Sequence, residues 1–538
     1  MLPGVLYSPS GQKLAKMHGS RRKIAPANSG ESMKPLYTVA QIRAIEHAAA
    51  ATLEPGALME RAGQAAANVA LALLAGLANR SVLLLAGPGN NGGDALEAAA
   101  NLAHASAGVD VAVIHLPGLQ PPSAETAHAL ARAAESQVRF LGALPDLEPG
   151  LVIDGLFGIG LARPLDGPAR ALVDAVNALG WPVLSLDVPS GLDADSGAVV
   201  GPHGVAIRAA RTLTFIGDKP GLHMFEGRDH AGVVQVDPLG IDDDRYVQAQ
   251  AELNEPALFA RWLKPRANNS HKGSFGDVAI VGGAHGMAGA TMLSARGALF
   301  AGAGRVLVAA LDPGPAFDSV QPEIMFRDAA TYPLEEGTLV VGPGMGGSAR
   351  AMTLLANALA GDAALVLDAD ALNLISASVD LRERLAQRAA PTVLTPHPLE
   401  AARLLGVTAV EVQRDRLASA RALAASFQSI VVLKGAGSVI AAPDGSAVVN
   451  GTGNPGLASA GTGDVLAGIC GSLLAQGWPA REAALGAVWI HGAAADRLVE
   501  QGIGPIGMCA GELPAAARAV LNELVKATAV RPNGRPLS

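Results

Sequence analysis

Short apolar runs of strand length recur along this chain, each followed by a turn and then by an alanine-rich segment long enough for a crossover helix. In the first half they are Ser81–Gly87, Asp110–Leu116, Leu151–Phe157, Pro182–Asp187, Thr212–Ile216 and Val233–Val236, after a helical pattern from Thr38 to Leu77. In the second half they are Asp277–Val281, Arg305–Ala310, Thr338–Val341, Ala364–Asp368, Thr392–Thr395 and Ser429–Lys434. Parallel neighbours need such crossovers, and strands buried on both faces read as unbroken apolar runs. Each half is therefore expected to be an α/β domain on a mostly parallel sheet. The polar stretch Asp242–Asn269 separates the two series and reads as a linker. Domains are placed at 33–245 and 246–538, and their different motifs argue against a duplication.

Length agrees with two domains, since 538 residues exceed the roughly 250–300 that one core serves. A formal charge of -8 with 3% aromatics argues against a nucleic-acid partner, which calls for a basic face and stacking platforms. No apolar segment reaches the ~20 residues of a membrane-spanning helix. Cys470 and Cys509 are too few for a disulfide framework and point to a reducing, cytoplasmic setting. Residues 1–32 are basic and unpatterned, so they are read as a disordered extension or a start placed too early, with Met33 opening the first patterned segment.

Three strand ends of the first half carry polar turns. Gly87-Pro-Gly-Asn-Asn-Gly-Gly-Asp94 lies between a strand and a helix, where glycines let backbone N–H groups approach phosphate. Asp154-Gly-Leu-Phe-Gly-Ile-Gly and Asp187-Val-Pro-Ser-Gly-Leu-Asp193 end two further strands. In a parallel sheet these ends converge, so Asn91, Asp154 and Ser190 can offer oxygen to a hard cation while Asp187 stays free for acid–base work. Capping or turn formation is the bland alternative for Asp154 and Asp187, and the preferred reading for Asp193 and Asp195.

In the second half, Asn450-Gly-Thr-Gly-Asn-Pro-Gly-Leu-Ala-Ser-Ala-Gly-Thr-Gly-Asp464 runs into an apolar helix. N–H groups of Gly461, Thr462 and Gly463 would face an anion, and Asp464 would take a proton from an attacking hydroxyl, two needs of phosphoryl transfer. A plain N-cap is the alternative for Asp464. Lys434-Gly-Ala-Gly-Ser438 closes a strand in the manner of an adenine-nucleotide loop. In Thr395-Pro-His-Pro the prolines fix a path that projects His397 toward the same sheet edge, although a lone His is usually structural. His271–Gly276, Gly282–Ala290 and Val341–Gly346 complete an ordered set. Asp368 and Asp370 are left outside the site, because helix capping explains them as well as a nucleotide-bound magnesium does.

The first-half motifs resemble those of the NAD(P)H-hydrate epimerase domain over about residues 35–240, and the second-half set resembles the ADP-dependent NAD(P)H-hydrate dehydratase domain over about residues 255–525. The resemblance implies a Rossmann-like three-layer domain followed by a ribokinase-like one. It implies potassium held by Asn91, Asp154 and Ser190. It implies hydrate contacts from Asn90, Asn91, Gly92, Gly93 and Asp94, from Gly158, Ile159, Gly160, Leu161, Ala162, Arg163 and Pro164, and from Asp187, which joins Asp464 as a catalytic residue. In the second domain it implies that Ala290, Gly344, His397 and Asp464 contact the hydrate, while Lys434, Gly435, Ala436, Gly437, Ser438 and Gly463 hold ADP, with magnesium. Two positions depart from the family's pattern of glycines: Ala95, whose methyl is expected to crowd a close backbone approach, and Ala460.

The expected enzyme is thus a bifunctional isomerase and lyase that epimerises the hydrates of NADH and NADPH and dehydrates the S epimer, giving AMP and phosphate. A homo-oligomer without nucleic-acid or membrane partners is expected. The alternative is a ribokinase-like small-molecule kinase with a non-catalytic, ligand-binding first domain, since Gly-Thr-Gly-Asp alone serves either chemistry.

Overall fold

The computed structural model describes residues 34–528 except 106–107, 147, 243–244 and 315, so the basic stretch 1–32 lies outside the described residues. Two compact units divide the chain, one holding Pro35–Gln250 and the other running on from Ala251. Among the described residues no helix is long and apolar enough to cross a membrane.

The first unit is built on β1 (Ser81–Ala86), β2 (Asp110–His115), β3 (Arg139–Phe140), β4 (Leu151–Gly155), β5 (Val183–Leu186), β6 (Arg211–Phe215) and β7 (Val233–Asp237). They pair in parallel throughout, in the order β3-β2-β1-β4-β5-β6-β7. Strand alternation sends Val82 and Leu84 to one face and Leu83 and Leu85 to the other. The first pair packs under α1 (Val39–Ala50), α2 (Ala57–Leu74), α3 (Asn90–Ala105) and α4 (Ala124–Glu135). The second packs under α5 (Gly167–Leu179), which completes three layers in Rossmann-like order. The chain reverses its direction of progress between β1 and β4, so a crevice opens beyond their carboxyl ends, where such sheets bind ligands.

The expected single helical stretch Thr38–Leu77 is two helices. Thr38 starts the first with a capping box to Gln41, and Gly56, at φ 84°, starts the second.

In the second unit β8 (Ala251–Asn254), β9 (Asp277–Gly282), β10 (Arg305–Ala310), β11 (Met325–Asp328), β12 (Thr338–Val341), β13 (Ala364–Leu367), β14 (Thr392–Leu394), β15 (Ile430–Leu433), β16 (Val439–Ala441) and β17 (Ala447–Asn450) run in the order β8-β17-β16-β15-β14-β13-β12-β9-β10-β11. All pairs are parallel except those of β16 with its two neighbours. The helices are α6 (Ala288–Phe300), α7 (Ala349–Ala360), α8 (Asp370–Ala377), α9 (Val379–Ala386), α10 (Pro398–Leu405), α11 (Ala409–Arg414), α12 (Arg416–Phe427), α13 (Thr462–Ala475), α14 (Ala480–Glu500) and α15 (Leu513–Thr528). Val278 and Ile280 of β9 join α6 and α13–α15 in one core.

The reading of Asp242–Asn269 as linker needs correction. Its middle forms β8 and a 3-10 helix over Pro256–Trp262, and Phe259 is fully buried against Trp478 and Trp489. Polar composition hid a segment that buries Ala251, Leu253, Phe259 and Leu263.

Candidate functional site

Three neighbouring strand ends meet in the first unit. Gly87 follows β1 so closely against β4 that a Cβ there would lie 1.8 Å from the Leu156 carbonyl oxygen, so only glycine fits. The segment expected to be a glycine turn is already helix: α3 starts at Asn90, and a Cβ on Gly92 would stand 1.9 Å from the Gly87 oxygen. Asn90–Asp94 therefore present the first turn of a helix, pressed onto the strand end. Ala95 is fully buried and turns its methyl toward Gly155 of β4, so its extra carbon fills a packing gap rather than the ligand space.

Asp154 is fully buried at the end of β4. Its carboxylate accepts from the hydroxyls of Ser185 (2.8 Å) and Ser190 (2.6 Å) and from the N–H groups of Ser190 (2.9 Å) and Leu156 (3.2 Å). Burial pushes its pKa up, and these four bonds oppose the shift. Ser190 Oγ also accepts the Phe157 N–H at 2.8 Å, which ties the loop after β4 to the loop after β5. Asn91 is buried beside them, and neither its oxygen nor its nitrogen has a hydrogen-bond partner among the described residues. An orphaned amide oxygen beside a buried carboxylate is a donor set for a hard monovalent cation. Asp193 instead accepts from Ser196 and Asp195 within its own turn, as expected of a turn former.

Asp187 ends β5 with φ 62°, a left-handed conformation uncommon outside glycine. Lys219 Nζ donates to its Oδ1 at 2.8 Å and the Ile159 N–H donates to its Oδ2 at 3.0 Å. Gly158 lies so near that a Cβ would stand 2.7 Å from Asp187 Oδ2. Asp187, Asn90, Asn91, Asp94 and Gly158–Leu161 all line one cavity of 760 Å³, walled on the other side by Arg43 and Glu46 of α1. Ala162, Arg163 and Pro164 continue that loop but are not among the lining residues. Burial, with Asp187 and Glu46 nearby, holds Asp94 well above the usual carboxylate range. Lys219, Glu46 and Arg43 were not singled out from the sequence. The signal for Lys219 was available in Gly217-Asp-Lys-Pro220, a charged turn directly after an apolar strand.

In the second unit α13 begins at Thr462 after Gly461, whose φ of 88° is the position that requires glycine. Ala460 is exposed and tolerates its methyl. Gly468 brings α13 onto α6 so closely that a Cβ would lie 1.9 Å from the Ser294 oxygen. The first turn of α6, with Ala290, thereby comes near Gly344, where a Cβ would stand 3.3 Å from that of Ala290. Asp464 is half-buried in the first turn of α13 and makes no side-chain cap bond. Burial and the neighbouring Asp368 push it up to about 7 against the pull of Lys434.

Lys434–Ser438 is the turn between β15 and antiparallel β16. Its lysine points away from the loop: Nζ donates to Asp368 Oδ1 at 2.7 Å and lies 4.0 Å from Glu400, itself pushed up to about 7 by burial. A Cβ on Gly463 would stand 3.3 Å from that Nζ, so the lysine sits at the start of α13. The loop is held from behind by Arg416, a buried guanidinium that donates to the carbonyl oxygens of Leu433, Lys434 and Gly437. Arg416 carried no sequence signal beyond its helix.

His397 caps α10: its Nδ1 accepts from Leu399 and Glu400, and burial and Lys434 lower its pKa. That cap leaves Nε2 to carry the ring proton. Asp368 and Asp370, set aside as caps, do not cap. Asp368 pairs with Lys434, and Asp370 Oδ2 accepts the Gly346 N–H at 2.8 Å, so both belong to the same polar cluster.

Comparison with known proteins covers both units. A family described as NAD(P)H-hydrate dehydratase matches residues 278–514, and one described as YjeF-related protein N-terminus matches residues 55–221. The chain is 39% identical to the bifunctional NAD(P)H-hydrate repair enzyme of Coxiella burnetii, over 91% of this chain and 100% of that protein. It is 37% identical to the Escherichia coli enzyme of the same description, over 86% of this chain and 89% of that one. Its second half is 44% identical to the ADP-dependent (S)-NAD(P)H-hydrate dehydratase of Neisseria meningitidis, over 53% of this chain and 96% of that protein.

Proposed function

The chain belongs to the bifunctional NAD(P)H-hydrate repair enzymes, and we infer that it returns hydrated NADH and NADPH to use, epimerising the R and S hydrates in its first unit and dehydrating the S hydrate with ADP in its second. The observation that carries this reading is a pair of carboxylates, Asp187 just past a strand end in the 760 Å³ cavity of one unit and Asp464 in the first turn of α13 beside Lys434 in the other.

Hydration leaves a hydroxyl on the nicotinamide C6, and hydroxide is a poor leaving group. Asp464 would take the hydroxyl proton while the oxygen attacks the β-phosphorus of ADP and AMP departs. The phosphate ester then leaves C6 as C5 loses a proton, which restores the C5=C6 double bond and gives inorganic phosphate. Lys434–Ser438 and Gly463 would hold the nucleotide, and Ala290, Gly344 and His397 the hydrate. Asp370 and the free oxygen of Asp368 are the carboxylates a magnesium nucleotide would meet, the metal serving to spread β-phosphoryl charge.

Inverting C6 requires one of its bonds to break and reform. C6 bears both the hydroxyl and the ring nitrogen, so the C6–N1 bond can open: its electron pair goes to N1, which takes up a proton, the hydroxyl becomes a carbonyl as Asp187 accepts its proton, and closure on the other face reverses each transfer. Potassium would sit on the orphaned Asn91 oxygen with Asp154 and Ser190, fixing the loops after β1, β4 and β5 around the substrate. The unpaired thiols of Cys470 and Cys509 support a cytoplasmic setting. A homo-oligomer is the expected assembly.

The deciding experiment incubates mixed R and S NADH hydrate with the protein, with and without ADP, and follows the reduced-nicotinamide absorbance. Complete recovery with ADP requires both activities. Asp187→Ala should strand the R epimer and still dehydrate the S epimer; complete recovery by that variant would overturn the assignment of Asp187.

A further inference from the structure

Lys219 has a buried ammonium for which packing alone gives no reason. Its side chain has 0% exposure, and it follows β6 in the turn Ile216-Gly-Asp-Lys219. Taking an ammonium out of water costs several kcal/mol unless it is paired and fully hydrogen-bonded. Here it is: Nζ donates to Thr214 Oγ1 at 2.6 Å, to the Phe215 carbonyl at 2.8 Å and to Asp187 Oδ1 at 2.8 Å. Among the described residues Asp187 is its one ion-pair partner, and two neutral oxygens aim the ammonium at that carboxylate.

The other oxygen of Asp187 accepts the Ile159 N–H at 3.0 Å. With one donor on each oxygen the carboxylate cannot turn, although its backbone sits at φ 62°, where a side chain with a Cβ is strained. Lys219 is anchored in turn. Its N–H donates to Asp218 Oδ1 at 2.8 Å, Asp218 Oδ2 pairs with His223 Nε2 at 2.8 Å, and the Asp218 carbonyl accepts from Tyr37 at 2.8 Å. Asp187 and Phe215 line the cavity and Lys219 does not, so Lys219 acts through the residues it holds, of which Asp187 alone presents a carboxylate.

We propose that Lys219 is the positioning residue of the epimerase, holding Asp187 in the one orientation that meets the C6 hydroxyl. This rests on the reading of Asp187 as the epimerase carboxylate. A carboxylate free to rotate loses near-attack geometry, which lowers kcat more than it weakens substrate binding.

The test uses the full chain as wild type, Lys219→Met, Asp187→Asn and the double variant. Epimerisation is followed from purified R hydrate, and dehydration of purified S hydrate with ADP serves as the folding control in the same samples. Lys219→Met should lower the epimerase kcat by roughly 10- to 100-fold with KM changed less than about twofold. In the Asp187→Asn background it should add no further loss, because a residue that acts through another has nothing left to act on. A KM rise at unchanged kcat, or the same factor lost in both backgrounds, would overturn the proposal. Full epimerase activity in Asp187→Asn alone would instead overturn the underlying reading of Asp187. Should Lys219→Met fail to fold, Thr214→Val removes one of the oxygens aiming the ammonium while keeping the side chain's shape. A kcat loss confined to the Asp187 background then supports the proposal, and an unchanged kcat refutes it.

Discussion

Asp464→Asn should make the protein more stable while it removes the dehydratase. Asp464 is raised from 3.8 to about 7, chiefly by burial and then by Asp368, with Asp370 and Glu400 adding to the repulsion and Lys434 opposing it. Because the folded pKa lies above the unfolded one, ionising Asp464 costs stability. Its contribution is least harmful below the unfolded pKa and worsens as pH rises through about 7. A shift of about 3 units corresponds to a ceiling of ~4 kcal/mol at pH 8 and ~1.6 kcal/mol at pH 5. Water reaching the half-buried group will reduce this, to about 1–2 kcal/mol at pH 8. Against it stands the favourable placement of a carboxylate in the first helical turn, worth ~0.3–1 kcal/mol and lost with asparagine. Desolvation and repulsion win at pH 8 and roughly cancel against that loss at pH 5. There is no side-chain cap bond to forfeit.

Calorimetry without nucleotide would check it. With that loss subtracted, and at about 2–4 °C per kcal/mol for a domain of this size, the variant should melt ~1–5 °C higher at pH 8, with little difference at pH 5. Turnover of S hydrate should fall ~10²–10⁴-fold, the usual contribution of a general base. In the wild type, kcat/KM for dehydration should rise with pH through about 7. A variant that melts no higher at pH 8 than the wild type, or a gain that does not grow with pH, would refute the electrostatic account of this site.

Replacing potassium by tetramethylammonium, or Asn91 by alanine, should lower epimerase turnover at least ~10-fold with dehydration unchanged, since the Asn91 oxygen is the unpartnered donor beside Asp154 and Ser190 among the described residues; equal activity without potassium would count against the cation site. Arg416→Met should raise the KM for ADP, because the carbonyls of Leu433, Lys434 and Gly437 lose their donor, and should cost at most about 1–3 kcal/mol in denaturant unfolding for acceptors left unsatisfied; an unchanged KM would detach Arg416 from the nucleotide loop. Ala95→Gly should leave epimerase activity within about twofold and reduce stability by ~0.5–1 kcal/mol, as expected of an interior helix position; a gain in activity would show that the methyl does crowd the substrate.

The parallel strands were legible because each is an unbroken apolar run, and the turns at their carboxyl ends could be paired with ligand chemistry before any geometry was known. Short and edge strands such as Arg139–Phe140, Met325–Asp328 and Val439–Ala441 have no comparable signature, and β8 was hidden in a polar stretch. Two of the residues that escaped notice share a property: Lys219 and Arg416 act on another side chain or on the backbone. Nothing in a linear pattern tells that Lys219 reaches Asp187 across 32 positions, or that Lys434 turns from its own loop to Asp368 across 66.

Those two lysines define what the units have in common despite different folds of the chain. Each lies past a strand end, Lys219 fully buried and Lys434 largely so, and gives its charge to an aspartate, Asp187 in one unit and Asp368 in the other. In the first unit the paired aspartate is itself exposed to the cavity, whereas Asp94 stays without a cation and is pushed well up by burial. In the second unit the pairing goes to Asp368, and it is Asp464 and Glu400 that remain raised, both to about 7. One lysine cannot neutralise several carboxylates in a low-dielectric cluster, so those it does not pair with are left to the effect of burial. A carboxylate fixed by the ammonium suits a step that needs orientation, as inversion at C6 does. One raised to about 7 suits a step that must accept a proton near neutral pH, as phosphorylation of the C6 hydroxyl does.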